Sequence, residues 1–177
     1  MNTHDRRRLE RHARRIEELR LWRNARESRI EEWRFAADGG EGKEIRLGDF
    51  WPEEALPASF SAEAKIPEDW AGSPVEVELW LGGEGFVKLS TGFSGGLNPF
   101  HRSFPVTQEA AGGETVGVEA EVVPRGMFGT NVAEPQLRRS SLVVPEKEVR
   151  ALERDLGLIV EVCEQLGDHE AVPHLLD

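Results

Sequence analysis

Short runs of alternating apolar and polar residues, separated by Gly and Pro, occupy the middle of this 177-residue sequence and most constrain its fold. They lie between Lys43 and about Ser141 and read EIRLGDFW, ASFSAEAKIP, VEVELWLG, GFVKLS, HRSFPV, TVGVEAEVV and SSLVV. Alternation of this kind is typical of strands with one buried face, and no helix-length periodicity lies between the runs. The sequence therefore predicts an antiparallel β-sandwich, or jelly roll, over 43–143.

Two of these runs predict which side chains form the core, because successive residues of a strand point to opposite faces. In VEVELWL the apolar face consists of Val75, Val77, Leu79 and Leu81. The other face carries Glu76, Glu78 and Trp80. In VGVEAEV the predicted core residues are Val116, Val118, Ala120 and Val122. The GGEGF segment between the VEVELWL and GFVKLS runs fits a hairpin turn with positive φ, since no Lys-Ser/Thr of a phosphate loop follows it.

Helical periodicity flanks the strands on both sides. From about Asp5 to Phe35 the spacing predicts one amphipathic helix, or two with a break near Asn24, as an N-terminal arm over 1–36. Trp22 and Trp33 are predicted to anchor this arm on the body or on a second subunit, an interpretation favoured over ligand binding. From Pro145 a second helix is predicted, ending at Gly167, with an apolar side made of Val149, Leu152, Leu156, Ile159, Val160 and Cys163. The predicted fold class is mainly β with flanking helices (α+β), with a C-terminal helical segment over 145–177.

The charge distribution bears on partners and location. The formal net charge is −11, yet residues 1–34 hold eleven Arg against seven acidic residues, and the remainder holds eleven basic against 26 acidic. Arg alternates with Glu at helical spacings, which favours pairs within the helix, and an acidic body repels phosphates, so we expect no nucleic-acid partner. No apolar run is long enough for a bilayer, and the charged N-terminus lacks a secretory signal pattern, so we expect a cytoplasmic protein without a membrane partner.

A search for catalytic and binding patterns gives few candidates. The five histidines lack a second ligand at a metal-site spacing, no nucleophile-elbow pattern occurs, and the single Cys163 cannot form an internal disulfide, so no catalytic or metal residue is predicted. Trp51, Trp70 and Trp80 could supply an aromatic face for a sugar beside the Glu84 carboxylate, although a core position is favoured for each Trp. The carbohydrate-contact candidates are Trp80, Glu84 and His101.

The order and spacing of several segments carry a resemblance to a known family. They are IPEDW-AG, VEVELWLGGEG, STGFSGGLNPFHRSF, TVGVEAEVVPRGMFG and PQLRRSSLVVPEKEVRALERDLGLIVEV, and together they cover about Asp49 to Leu166. In this order they resemble the N-terminal region of glycoside hydrolase family 38 α-mannosidases of the cytosolic and vacuolar kind. The resemblance implies a jelly-roll sandwich, similar to galactose-binding domains, that precedes a zinc-dependent catalytic barrel.

The family's catalytic signature, a His-x-Asp zinc pair followed by Ala-Trp, does not occur in the 177 residues. The resemblance therefore implies a noncatalytic structural and assembly domain of a retaining α-mannosidase. Zinc is expected only in the catalytic domain, and the partners implied are that domain and other copies of the chain, as a homo-oligomer. Two alternatives remain open: a free-standing carbohydrate-binding module that binds mannoside or another sugar, and an adaptor whose arginine-rich helix binds an acidic partner.

Overall fold

The structure is a computed structural model that describes residues 2–37, 39–126 and 129–176. The chain forms two compact units: residues up to Ala25 together with those from Pro145 onwards, and Arg26–Val144. In the described residues of the first unit, the helices are α1 (Thr3–Arg20), α2 (Lys147–Leu166) and α3 (Val172–Leu175). No helix in the described ranges is long and apolar enough to cross a membrane.

The helical unit has a small core of its own. Leu9 of α1 is buried with Cys163 of α2, together with Val172 and Leu176. Further along α1, Arg20 pairs with Glu153, which lies nearer the start of α2, so the two helices run antiparallel. The side chain of Asn2 accepts a hydrogen bond from the backbone N–H of Asp5 and caps the start of α1.

The second region is built from ten strands within the described residues: β1 (Asn24–Arg29), β2 (Glu32–Ala37), β3 (Lys43–Arg46), β4 (Ala58–Lys65), β5 (Val75–Trp80), β6 (Glu84–Leu89), β7 (Ser94–Leu97), β8 (Ser103–Thr107), β9 (Thr115–Val123) and β10 (Arg139–Pro145). They form a four-stranded sheet in the order β1-β10-β5-β8 and a six-stranded sheet in the order β3-β2-β4-β9-β6-β7. Every pair whose register is described is antiparallel. The predicted antiparallel sandwich with flanking helices is confirmed.

The predicted core faces of two strands are also confirmed. The four apolar residues of the VEVELWL run are fully buried, and those of the VGVEAEV run are at most 4% exposed. An aromatic cluster of Trp33, Phe35, Trp51 and Phe60 packs edge-to-face or tilted within the same core. Trp33 Nε1 also donates a 2.7 Å hydrogen bond to Ser140 Oγ of the other sheet, which ties the two sheets together.

The predicted N-terminal helix is too long. α1 ends at Arg20, and the stretch from Asn24 to Ala37 forms β1 and β2 instead of continuing as a helix. Trp33 and Phe35, two residues apart, are both buried between the sheets, whereas Arg34 faces outwards. The period of two therefore prevails over the high helix propensity of Arg and Glu, because pairing with β4 buries both aromatic rings.

At the C-terminal end, Pro145 is the last residue of β10 and α2 begins at Lys147. Gly167 ends α2 as predicted, with a φ of 60°.

Candidate functional site

The outer face of the six-stranded sheet carries a group of polar side chains around one exposed aromatic ring. Because residues such as Phe60 and Val87 point into the core, their neighbours along each strand point outwards. We call this surface the sheet-face site and define it by the outward residues at the centre of four adjacent strands: Arg34, Ala36, Ser59, Ser61, Phe86, Lys88, Glu119 and Glu121.

Strand register arranges these residues in two rows across the sheet. One row runs through Arg34, Ser61, Glu119 and Lys88, on β2, β4, β9 and β6. The next row runs through Ala36, Ser59, Glu121 and Phe86 on the same strands. Directly opposed residues on antiparallel strands have Cβ atoms about 4.5–5.5 Å apart, so each row is a continuous line of neighbouring side chains.

Short side chains between longer ones make this face concave. Two overlapping open depressions, of about 890 Å³ and about 370 Å³, share Arg34, Gly42, Ser61, Lys88 and Glu119 in their walls. A Cβ at Gly42 would lie 2.4 Å from Arg34 Nε, so a glycine there leaves space for the arginine side chain. The floor is set by the two serines of β4, and the rim by the longer charged residues.

The charged groups of the sheet-face site have no partner among the described parts of the chain. The side chains of Arg34, Lys88, Glu119 and Glu121 make no hydrogen bond or ion pair with another described protein group. The phenyl ring of Phe86 beside them is 46% exposed. This face therefore presents donors, acceptors and an apolar ring at once, which is the combination that a polar ligand with one apolar side requires.

The outer face of the other sheet has the opposite character, because its charged groups pair with one another. Arg139 on β10 makes a bidentate pair with Glu27 on β1 at 2.8 and 2.9 Å, and contacts the carboxylate of Glu78 on β5 at 2.6 and 3.0 Å. Ser141 Oγ donates a further hydrogen bond to Glu27 Oε1 at 2.9 Å. Glu78 is only 7% exposed, so this network supplies the partners that a buried carboxylate needs. Its role is to join three strands.

The pKa values of this network follow from its contacts. Partial burial opposes ionisation of Glu27, but hydrogen bonds from Arg139 and Ser141 outweigh it, and the pKa of Glu27 lies below its ordinary value. Burial likewise opposes the charge on Arg139, yet the hydrogen bonds to Glu27 and Glu78 raise its pKa. Both groups are held in their charged forms.

The three predicted carbohydrate-contact residues lie on different elements. Trp80 is the last residue of β5 in the four-stranded sheet, and the guanidinium of Arg102 stacks 4.3 Å from its ring centroid. Burial lowers the pKa of Arg102. His101 lies in the β7–β8 connection, with Nδ1 3.2 Å from Asn98 Oδ1. Glu84 begins β6 in the six-stranded sheet, and no described contact joins the three residues. Trp51 and Trp70 occupy core positions, as the sequence favours, and are 3% and 4% exposed.

The two predicted interface tryptophans have opposite environments. Trp22, just after α1, is 70% exposed, and it borders a groove of about 550 Å³ that is lined also by Leu19, Leu152 and Leu156 of the helical unit. Trp33 is 2% exposed and lies in the sandwich core. Its anchoring role is therefore internal, and a contact with a second subunit does not fit its position.

Within the described ranges, no group of three or more His, Cys, Asp or Glu side chains could hold a metal ion. Cys163 is fully buried in the helical unit, and desolvation raises the pKa of its thiol. The thiol packs as a small apolar group, as the sequence predicts.

No family model matches the sequence, and no curated protein matches it. Two solved structures that the chain is similar to are a β-galacturonidase of glycoside hydrolase family 2 from Eisenbergiella tayi, bound to galacturonate, and a β-glucuronidase from Ruminococcus gnavus. The first has a TM-score of 0.42 and 17% identity over 67% of this chain, and the second a TM-score of 0.42 and 14% identity over 68%. The chain covers 24% and 29% of their lengths.

The sheet-face site cannot be recognised in the sequence, because its members come from four strands that are distant along the chain. The usable signal is local: RFAA, SFS, GFVK and EAE each put one or two non-core residues beside core ones. Only the strand order β2-β4-β9-β6 brings these segments together.

Proposed function

We propose that this chain is a noncatalytic structural and assembly domain of a retaining, zinc-dependent α-mannosidase that hydrolyses terminal α-linked mannose. The observation that supports this proposal is the agreement between the resemblance and the fold. The resemblance to family 38 implies an antiparallel jelly-roll sandwich over most of the chain, and an antiparallel sandwich with flanking helices is the fold observed.

Individual motifs of the resemblance also have a structural role that suits a scaffold. The VEVELWLGGEG segment forms β5, the turn and the start of β6, and so links the two sheets. The SSLVVPEKEV segment forms β10 and leads directly into α2. These segments supply core residues and backbone pairing, which explains their apolar and glycine-rich character.

The catalytic groups of this proposal lie outside the 177 residues. An Asp nucleophile, a carboxylic general acid and a zinc ion that holds sugar hydroxyls would belong to a following catalytic barrel. None of these roles is assigned to a residue of this chain. A module that would bind sugar through Trp80, Glu84 and His101 stays an alternative hypothesis, with these residues on β5, on β6 and in the β7–β8 connection.

The experiment is to sequence the gene past codon 177 and to express the downstream coding region together with this segment. Hydrolysis of a chromogenic α-mannoside is then measured with and without a chelator, and again after zinc is restored. A His-x-Asp motif, loss of activity on chelation and recovery with zinc would support the proposal. Recovery separates a catalytic metal from a loss of folding. A stop codon directly after Asp177, or activity that is indifferent to chelation, would overturn it.

A further inference from the structure

We propose that the sheet-face site binds the chain of a neutral oligosaccharide. The first step is the match of hydrogen-bonding groups. Sugar hydroxyls both donate and accept, and the row Arg34, Ser61, Glu119 and Lys88 has a donor at each end with a hydroxyl and a carboxylate between them. Since neither cation nor Glu119 has a partner among the described residues, binding would not require an existing ion pair to break.

The second step is the aromatic ring. Phe86 stands in the neighbouring row, opposite Glu121, and nearly half of its surface is exposed. A pyranose has one face of C–H groups, and such a face packs on an aromatic ring while its hydroxyls remain at the edge. A carboxylate beside the ring, such as Glu121, is placed to accept from those hydroxyls.

The third step is the net charge of the site, which favours one class of sugar. The walls of the two depressions hold five carboxylates against three cations: Glu32, Glu44, Glu63, Glu119 and Glu121 against Arg34, Lys43 and Lys88. The rest of the chain beyond the N-terminal arm is also strongly acidic. A uronic-acid polymer would meet repulsion from both sources, whereas a neutral sugar would not.

The fourth step is size. Four adjacent strands span about 14 Å at the usual spacing between strands, which accommodates on the order of three sugar units. The larger depression, of about 890 Å³, is open and has room for more than a monosaccharide. The site therefore fits an internal stretch of a chain.

The test is a titration of the whole 177-residue chain with α-linked mannotetraose, followed by amide shifts in NMR. Mannose as the probe rests on the proposed function, whereas neutrality does not, so neutral gluco- and galacto-oligosaccharides and an oligogalacturonate of equal length are titrated in parallel. We expect saturable shifts on β2, β4, β6 and β9 with at least one neutral oligosaccharide, and weaker binding of the oligogalacturonate.

Two variants and their matched controls locate the site. Phe86→Ala is expected to weaken binding about tenfold, and Glu119→Gln about threefold, through loss of the stacking face and of a charged acceptor. The controls are Phe50→Ala, 58% exposed and outside the site, and Glu109→Gln, also exposed, which should leave binding unchanged. Unfolding midpoints equal to that of the original chain confirm that Phe86→Ala and Glu119→Gln are folded.

The outcomes separate this inference from the proposed function. Binding of a neutral oligosaccharide other than the mannoside would support the sheet-face site and count against a mannosidase. Absence of saturable shifts with every neutral oligosaccharide, up to about 10 mM, would overturn the inference while leaving the gene-sequence test untouched. Equal losses in Phe86→Ala and Phe50→Ala, or tighter binding of the oligogalacturonate, would also overturn it.

Discussion

The indole N–H of Trp33, the one polar group of its side chain, joins the two sheets. Its indole N–H is buried and donates to Ser140 Oγ, while its rings pack edge-on against Phe60. A buried donor must have an acceptor, and here the acceptor comes from the opposite sheet. The hydrogen bond therefore favours one alignment of the sheets over others that would bury the same apolar area.

This pairing predicts unequal and non-additive losses of stability. Ser140→Ala leaves the indole N–H buried without an acceptor and should lower the free energy of unfolding by about 1–3 kcal/mol. Trp33→Phe removes the donor and part of the packing, and should lower it by about 2–4 kcal/mol. The double variant should lose less than the sum, as measured by urea unfolding. Trp22→Phe, at an exposed position, is the control and should stay within about 0.5 kcal/mol; strict additivity would contradict the pairing.

The Arg139 network predicts a loss of stability in acid. The folded pKa of Glu27 lies below its ordinary value of 4.5, so the unfolded chain takes up this proton first as the pH falls. The contribution of Glu27 is therefore complete above pH 4.5 and is lost as the pH falls through its lowered, folded value. The measured quantity is the difference in unfolding free energy between the original chain and Glu27→Gln, from pH 7 to pH 3. It should shrink towards the acid end, and a difference that stays constant over this range would contradict the role of the network.

Among elements, β2 shows where local sequence is insufficient. Ile30 and Trp33 are spaced like a helical stripe, and the Arg and Glu around them are strong helix formers. Trp33 and Phe35 fit a strand equally well, and only the partner strands β3 and β4 decide between the two periods. In contrast β5 and β9, whose alternation continues over six or more residues, could be assigned from the sequence with their core faces.

The glycines of the GGEGF segment are needed for two different structural reasons. Gly82 has a φ of 97°, as a tight turn requires, but Gly83 and Gly85 lie against β9. A Cβ at Gly83 would be 2.0 Å from the carbonyl oxygen of Val123, and one at Gly85 2.1 Å from that of Glu121. The positive φ expected from the sequence is found at Gly82, but the predicted hairpin is wrong, because β5 and β6 belong to different sheets and do not pair. The close approach of β6 to β9 depends on a segment almost forty residues away.

This close approach predicts that Gly85→Ala destabilises the fold, although the other positions of β6 accommodate side chains. The new methyl group would force β6 from β9, and the free energy of unfolding should fall by about 1–3 kcal/mol. Gly96→Ala on the neighbouring β7 is the matched control, since nothing lies within 4 Å of its added Cβ. Thermal or urea unfolding of both variants measures the difference. Equal stabilities would mean that β6 and β9 can separate without loss.

At the scale of the whole molecule, the sequence predicts the architecture better than the site. Alternation and turns suffice for a sandwich, because burying one face per strand permits few other arrangements. The sheet-face site depends on which strands become neighbours: Arg34 and Lys88 are far apart in sequence and lie in one row only through β4 and β9. Trp80 and Glu84 show the reverse, since a separation of four residues puts them on different sheets.

Assembly is among the roles that the proposed function gives this domain. Leu21 and Trp22 expose 80% and 70% of their surface at the end of α1, beside a groove bordered by Leu152. A second copy of the chain would cover such a patch and remove its apolar surface from water. We expect mass to rise with concentration in light scattering, and Trp22→Ala to weaken the association about tenfold or more, because buried tryptophans dominate interface energies. Phe50→Ala, equally apolar but on the sandwich, should leave the association unchanged. A monomeric mass at every concentration would exclude self-association of this chain through Trp22.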